Sequence, residues 1–246
     1  MESLSDYESY TKKALENFSA QDAARRYLLF DAVKDFEIKR VLDVGCGAGQ
    51  ELLPFIERTD SFCVGIDIAE KLGNVTNIVF AGQARAAFVR SEGEKMPFAD
   101  ESFEVVMCRV ALPYMNNRQT IAEVSRILRP GGVFLLKTHA PLFYFGMIRQ
   151  RLKTFNPKFL AYPLICLAAG LWHLLTGKQL QKGFWQGKET FQTRLYLEKE
   201  FAKNNMEIEG VLPDHNRQTP SYFVVKKALP TLFLIAQFLS DFGFAT

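Results

Sequence analysis

The chain has 246 residues, 48% apolar and 23% charged, with a formal net charge of +3. That composition excludes a disordered or collagen-like polymer, and the length suffices for one generous core or two small ones. The polar, acidic start MESLSDYESY lacks the basic-then-apolar order of a secretory leader, so the expected location is the cytoplasm.

Residues 7–34 have helical spacing, with Leu15, Phe18, Tyr27, Leu28 and Val33 able to share one face. Residues 40–44 read as a strand entering a glycine turn, 51–58 as a helix and 62–66 as a second strand. Residues 77–85 are expected to be helical, 86–90 a third strand, 103–107 a fourth, and 120–128 a helix. A fifth strand follows at 133–137, after the turn Pro130-Gly131-Gly132. Strands alternating with helices imply a parallel sheet covered on both faces.

Between Glu123 and Glu189 there is no acidic residue. Within that interval Arg149, Arg151, Lys153 and Lys158 precede an apolar run over 159–175, and Lys178, Lys182 and Lys188 follow it. A basic border around a greasy segment suits an anionic lipid surface or an anionic substrate, and equally a solvated face beside a buried helix. The run is shorter than the ~20 residues a bilayer span needs. A second apolar stretch, 228–246, is compatible with one helical face. Cys46, Cys63, Cys108 and Cys166 are widely spaced and read as reduced, buried thiols. No set of residues has the spacing of a metal site or a nucleophilic triad, and no nucleic-acid reading motif is present.

The chemistry begins at Asp43-Val44-Gly45-Cys46-Gly47-Ala48-Gly49. Alternating glycines after a buried strand allow a sharp turn and let a ligand lie against the main chain. The dinucleotide fingerprint would place its third glycine at position 50, where this chain has Gln50. Asp67 ends the second strand at the distance from the glycines where an acid reaches ribose hydroxyls, and Ile68 offers an apolar face to an adenine. Alone, Asp67 could equally cap a helix.

The third element joins Glu92-Gly93-Glu94-Lys95-Met96-Pro97-Phe98 to Phe103-Glu104-Val105-Val106 and to Arg126-Ile127-Leu128-Arg129-Pro130-Gly131-Gly132. With these motifs in order, residues 38–138 resemble the class I S-adenosylmethionine-dependent methyltransferase family. The resemblance implies a Rossmann-like, seven-stranded, mostly parallel α/β sheet with helices on both faces, and S-adenosylmethionine as cofactor. It implies that Asp43 orients the amino end of the cofactor, that Gly45, Gly47, Ala48 and Gly49 line its methionine and ribose portion, and that Asp67 holds the ribose. Glu92 and Gly93 match adenine-contact positions, and Arg109 a methionine contact. Relatives often carry Asp or Asn where Glu92 stands.

The division that follows is 1–36 as leading helices, 37–140 as the cofactor-binding core, 141–190 as an apolar, basic helical lid, 191–227 as the rest of the core sheet and 228–246 as an apolar helix. His139 lies just beyond the fifth strand, where an open parallel sheet presents ligand-facing residues, and is the first candidate general base; Tyr114 is the second. His139 could also simply end the strand facing solvent, and His173, inside an apolar run, reads as a packed residue. The expected activity is methylation of a small, apolar or lipid-like acceptor beneath the lid, with peripheral membrane contact as one role for the basic border. A non-catalytic module that keeps the nucleoside pocket is the alternative.

Overall fold

The computed structural model describes residues 23–69, 79–153, 157–214 and 217–228, together with Lys13, Glu16 and Ala20. Seven strands form one sheet: β1 (Arg40–Val44), β2 (Phe62–Asp67), β3 (Ala86–Arg90), β4 (Phe103–Arg109), β5 (Leu128–Lys137), β6 (Met206–Val211) and β7 (Ser221–Lys226). Their order is β3-β2-β1-β4-β5-β7-β6. The first five are parallel, while β7 runs antiparallel to β5 and to β6. The order reverses at β1, between β2 and β4. In an open parallel sheet the crevice at such a reversal, at the carboxyl ends of the strands, is where ligands bind.

The central strands are apolar on both faces because both faces are covered. Val41, Val105, Met107, Val133 and Leu135 pack with Leu29, Val33, Leu52 and Phe55 on one side. Leu42, Val44, Val106, Cys108, Phe134 and Leu136 pack with Ile121, Val124, Leu197 and Phe201 on the other. The first side is covered by the short helices α2 (Leu28–Asp31) and α3 (Leu53–Arg58), with α1 (Ala23–Arg26) preceding them, and the second by α4 (Asn117–Ile127) and α7 (Arg194–Lys203). Asn116 caps α4 by accepting from Gln119 N–H, and Thr193 caps α7 by accepting from Tyr196 N–H. Phe134 is fully buried and meets Phe201 edge-on at 6.1 Å, so truncating it to alanine costs about 3–5 kcal/mol.

Between β5 and α7 lie two further helices, α5 (Pro141–Leu152) and α6 (Ala161–Thr176). They have a small core of their own, Tyr144, Cys166 and Phe191. Gly170 lets α6 reach that core, since a Cβ there would run into the Phe191 ring.

Several expectations need adjustment. In the expected helix at 77–85, residues 77 and 78 lie outside the described residues, and Phe80 to Arg85 is a series of turns. Gly82 has φ +77°, a left-handed conformation that ends helices. The turn at Pro130-Gly131-Gly132 does not precede β5 but bulges out of it: Phe103 pairs with Leu128, whereas Val105 pairs with Val133. Leu15, Phe18, His215 and residues 229–246 lie outside the described residues. All four cysteines are buried and unpaired, and His173 is buried against the Tyr196 ring at 4.4 Å.

Candidate active site

One half of the site forms where β1 and β2 end. Gly45, Gly47 and Gly49 have φ of +72°, +54° and +77°, which only glycine adopts freely. The turn is pinned to β2 by Gly45 and Cys46 N–H groups donating to the Ile66 carbonyl at 2.9 and 3.0 Å. Asp67 sits at the end of β2, and its two carboxylate oxygens accept from Gly47 N–H at 3.2 Å and Ala69 N–H at 3.0 Å. Each oxygen keeps a lone pair for a further donor. Ala48 is buried under the turn, while Ile68 beside Asp67 is well exposed.

Asp43 is buried and its Oδ1 has no hydrogen-bond partner. Burial, and then the nearby Glu51 charge, holds its carboxyl well above the usual range, with Arg109 acting in the opposite direction. Burial likewise raises Glu51. Arg109, at the end of β4, lies 3.3 Å from Glu51 and 3.6 Å from Asp214, and Lys137, at the end of β5, lies 2.6 Å from Asp214. Asp214 falls below its ordinary value because the hydrogen bond and charge of Lys137 outweigh burial. The predicted Arg109 therefore belongs to an ion-pair network whose acids, Glu51 and Asp214, sequence reasoning did not single out.

The segment from Ala111 to Met115 closes over the glycines. A Cβ on Gly93 would lie 2.8 Å from Met115 Sδ, and one on Gly45 would collide with Ala111 Cβ. Gly47 is different: a Cβ there meets nothing within 4 Å. Gly93 is buried between Val44, Met115 and Thr120, while Glu92 is exposed. Val110, which leads into this segment, has φ +55°, a strained conformation for a β-branched residue, and its N–H is held by the Lys137 carbonyl at 2.8 Å.

The second half lies at the ends of β4 and β5. Tyr114 occupies the 3-10 turn Leu112–Tyr114 after β4, and His139 follows β5. The chain between Glu189 and Gln192 crosses both: Thr190 N–H donates to the Pro113 carbonyl at 2.8 Å, and Gln192 N–H to the His139 carbonyl at 3.3 Å. Thr138 donates its hydroxyl to the Gln192 side chain. These bonds bring both predicted base candidates to one carboxylate, Glu189, which is 4% exposed. Tyr114 donates to it at 2.8 Å, Tyr144 of α5 at 2.7 Å and Tyr162 of α6 at 2.6 Å, and His139 Nδ1 lies 2.5 Å away. The His139 ring is stacked on Phe143, with centroids 3.8 Å apart. Burial would raise Glu189, but the hydrogen bonds from His139, Tyr162 and Tyr144 hold it down to about 2. Burial and the Glu189 charge push all three phenols well above their ordinary value. Glu189 was visible in the sequence only as the acid that ends the acid-free interval.

Residues 42–136, the span that holds the glycine turn, the end of β4 and all but the last residue of β5, match the family of methyltransferase domains. This stretch belongs to the class I S-adenosylmethionine-dependent methyltransferase family. Over 104 residues the chain is 36% identical to the uncharacterized methyltransferase YcgJ of Bacillus subtilis (strain 168), covering 41% of this chain and 40% of that protein. It is 32% identical over 99 residues to the sterol 4-C-methyltransferase strm-1 of Caenorhabditis elegans, covering 39% and 29%. It is 32% identical over 97 residues to the 27-O-demethylrifamycin SV methyltransferase of Amycolatopsis mediterranei (strain S699), covering 38% and 36%. The matched region thus spans well under half of each of these relatives. The crystal structure of YcgJ superposes with a TM-score of 0.54 at 19% identity, over 82% of this chain and 99% of that one, and so shares the fold. The methyltransferase domain's cofactor is S-adenosylmethionine. The residues present fit that group. A buried carboxylate oxygen without a partner, in a site where Asp43 and Glu51 are costly to ionise, calls for a cation, and the cofactor carries both an ammonium and a sulfonium.

Proposed function

We propose that the whole chain is a methyltransferase that acts on a small, apolar acceptor. The observation that carries this reading is Asp43: its unpartnered, buried Oδ1 lies beside a glycine turn with open space at Gly47. Bound S-adenosylmethionine supplies an electrophilic methyl group on a sulfonium, so the protein's task is chiefly to bind and align. Asp43 takes the ammonium end, and Gly45, Gly47, Ala48 and Gly49 form the floor. Asp67 accepts the ribose hydroxyls, with Ile68, Glu92 and Gly93 around the adenine. Arg109 faces the methionine end, held there by Glu51 and Asp214.

The acceptor is received at the ends of β4 and β5, under α5 and α6. The half-buried Phe143 and Tyr162, packed on the closed core of Tyr144, Cys166 and Phe191, are its proposed walls and favour an apolar molecule, since a charged one would surrender hydration at a cost of several kcal/mol. The names of the sterol and rifamycin methyltransferases support this size and chemistry of acceptor. A nucleic-acid acceptor has no comparable support in the chain.

Peripheral membrane contact suits the same reading. The inward face of α6 is Pro163, Cys166, Ala169, Gly170 and His173, all buried, yet its outward face is apolar too, with Leu164, Leu171, Trp172 and Leu175 exposed. A helix that is apolar all round normally has cover on every side. The interval from 124 to 188 has basic and no acidic residues, so a second copy apposed through this face would bring like charges together, whereas an anionic lipid surface complements it. No helix among the described residues is long and apolar enough to cross a membrane.

Isothermal titration with S-adenosylhomocysteine tests the cofactor half, using Asp67→Asn as well as Asp67→Ala because Asp67 also holds the Gly47 turn. Loss of the ribose bonds should cost about 1–3 kcal/mol of binding. Release of S-adenosylhomocysteine on incubation with cofactor and a panel of apolar acceptors tests the enzyme. Tight binding without turnover on any of them would favour the non-catalytic module.

A further inference from the structure

Glu189 collects donors from four separate parts of the chain. Its Oε1 accepts from Tyr114 and Tyr162, and its Oε2 from Tyr144 and pairs with His139 Nδ1. A carboxylate has about four lone-pair positions and no proton to give, so this one is saturated. Because it can only accept, His139 must carry its proton on Nδ1. Neutral His139 then has its free lone pair on Nε2, which makes no hydrogen bond among the described residues. Stacking on Phe143 and the edge of Tyr144, 6.2 Å away, fixes the ring plane at the carboxyl end of β5.

From this geometry we infer that His139 Nε2 is the general base for a weakly acidic, phenolic or enolic hydroxyl of the acceptor, so that the methyl group goes to oxygen, with Glu189 as the residue that positions His139. The inference rests on the methyl-transfer reading above. The acceptor O–H bond breaks and its proton passes to Nε2. The oxygen's electron pair forms the new O–CH3 bond, and the pair of the broken S–CH3 bond stays on sulfur. The proton on Nε2 then leaves to water. Neutral hydroxyl oxygen is a weak nucleophile and must lose its proton as the bond forms, whereas amines do not need a base for attack. An imidazole is a match for phenols, whose pKa is about 10, and not for ordinary alcohols. Tyr114, the other candidate, has its proton committed to Glu189 and acts as a donor. Among the described residues, the remaining ionisable groups around the hub are Cys166, Tyr144 and Tyr162, with Arg151 and Lys188 each 5.9 Å from the Tyr162 ring.

Two measurements test it without turnover. Nitrogen NMR of the full chain labelled at histidine should find His139 protonated at Nδ1 at neutral pH, and Glu189→Gln should populate the other tautomer. A wild-type ring protonated at Nε2 overturns the inference. In the second, 4-nitrophenol is added to protein saturated with S-adenosylhomocysteine, at a pH below the probe's own pKa. Wild-type protein should bind it as the coloured phenolate, and His139→Ala should lose at least tenfold of that signal. No bound phenolate, or an equal signal in His139→Ala, overturns it. If S-adenosylhomocysteine itself does not bind in titration, the methyl-transfer reading has failed, and the tautomer of His139 is still decided separately by the NMR.

Discussion

Gly45 and Ala111 lie so close that no side chain can grow on Gly45 without displacing the segment that runs on to Met115. Gly47, two residues on, faces open space at a similarly left-handed φ. The two positions should therefore fail differently. Gly47→Ala carries only the left-handed backbone cost, about 1–2 kcal/mol, but its methyl group fills the proposed cofactor floor. Gly45→Ala adds a collision to that cost. Urea denaturation should rank Gly45→Ala clearly below Gly47→Ala, while Gly47→Ala should still bind S-adenosylhomocysteine at least tenfold more weakly than wild type. Equal midpoints for the two variants would contradict the collision.

Asp43 should oppose stability and support binding. Burial raises its carboxyl, so the folded chain holds that proton more tightly than the unfolded chain. The stability contribution is present below the unfolded value and is lost as pH rises towards the folded one. Asp43→Asn removes this loss, and its melting temperature without cofactor should rise at neutral pH. The same change deletes a charged hydrogen bond of about 1.5–3 kcal/mol, so affinity for S-adenosylhomocysteine should fall about 10- to 100-fold. Thermal melts with and without the ligand read both effects.

Glu189 has the opposite sign. Its carboxyl is held at about 2 against an ordinary 4.5, so its contribution is present above the ordinary value and is lost as pH falls towards 2. That gap corresponds to about 3 kcal/mol. Glu189→Gln should be less stable than wild type at neutral pH and should show a flatter stability profile between those two values, measured by denaturant titration across acid pH.

The outer face of α6 should bind anionic vesicles. Flotation with phosphatidylserine-containing vesicles should carry the protein upward at low salt and release it at high salt, since each basic residue near such a surface contributes about 1 kcal/mol and ions screen it. Leu171→Glu with Leu175→Glu should abolish flotation without altering S-adenosylhomocysteine binding. A protein that stays at the bottom at low salt but runs as a dimer would assign the face to a second copy.

What could be read in the sequence follows from which interactions are local. β1, β2 and β4 are short, mostly apolar runs that lead to Gly45, Asp67 and Arg109, so the strands and the residues at their ends were legible. Asp67 stands 20 residues from Gly47, a spacing fixed by one strand–helix–strand unit, and that too can be counted. The misread helix at 77–85 turned on one glycine, Gly82, whose left-handed φ has no periodic signature. The Glu189 hub was hidden for a different reason. Its partners lie 75, 50, 45 and 27 residues away along the chain, on a turn, a strand end and two inserted helices. No period or motif links tyrosines so placed. His139 and Tyr114 could be named because they follow strands; the acid that joins them could not. Arg109 was placed at the correct strand end, but its partners Glu51 and Asp214 come from either side of the sheet's sequence and needed the folded chain.

The three phenols around Glu189 raise the question of self-modification. A protein that activates a hydroxyl beside an electrophilic methyl group presents its own tyrosines to the same reagent. The nucleophile in such a reaction is a phenolate, and a neighbouring carboxylate makes a second negative charge costly. Tyr114, Tyr144 and Tyr162 donate their protons to an anion that keeps them from ionising, whereas a hydroxyl at the proposed base, Nε2 of His139, would meet a group able to remove its proton. One carboxylate would thus separate the protein's own phenols from those of its acceptor. Mass spectrometry after long incubation with cofactor should find those tyrosines unmethylated in wild type.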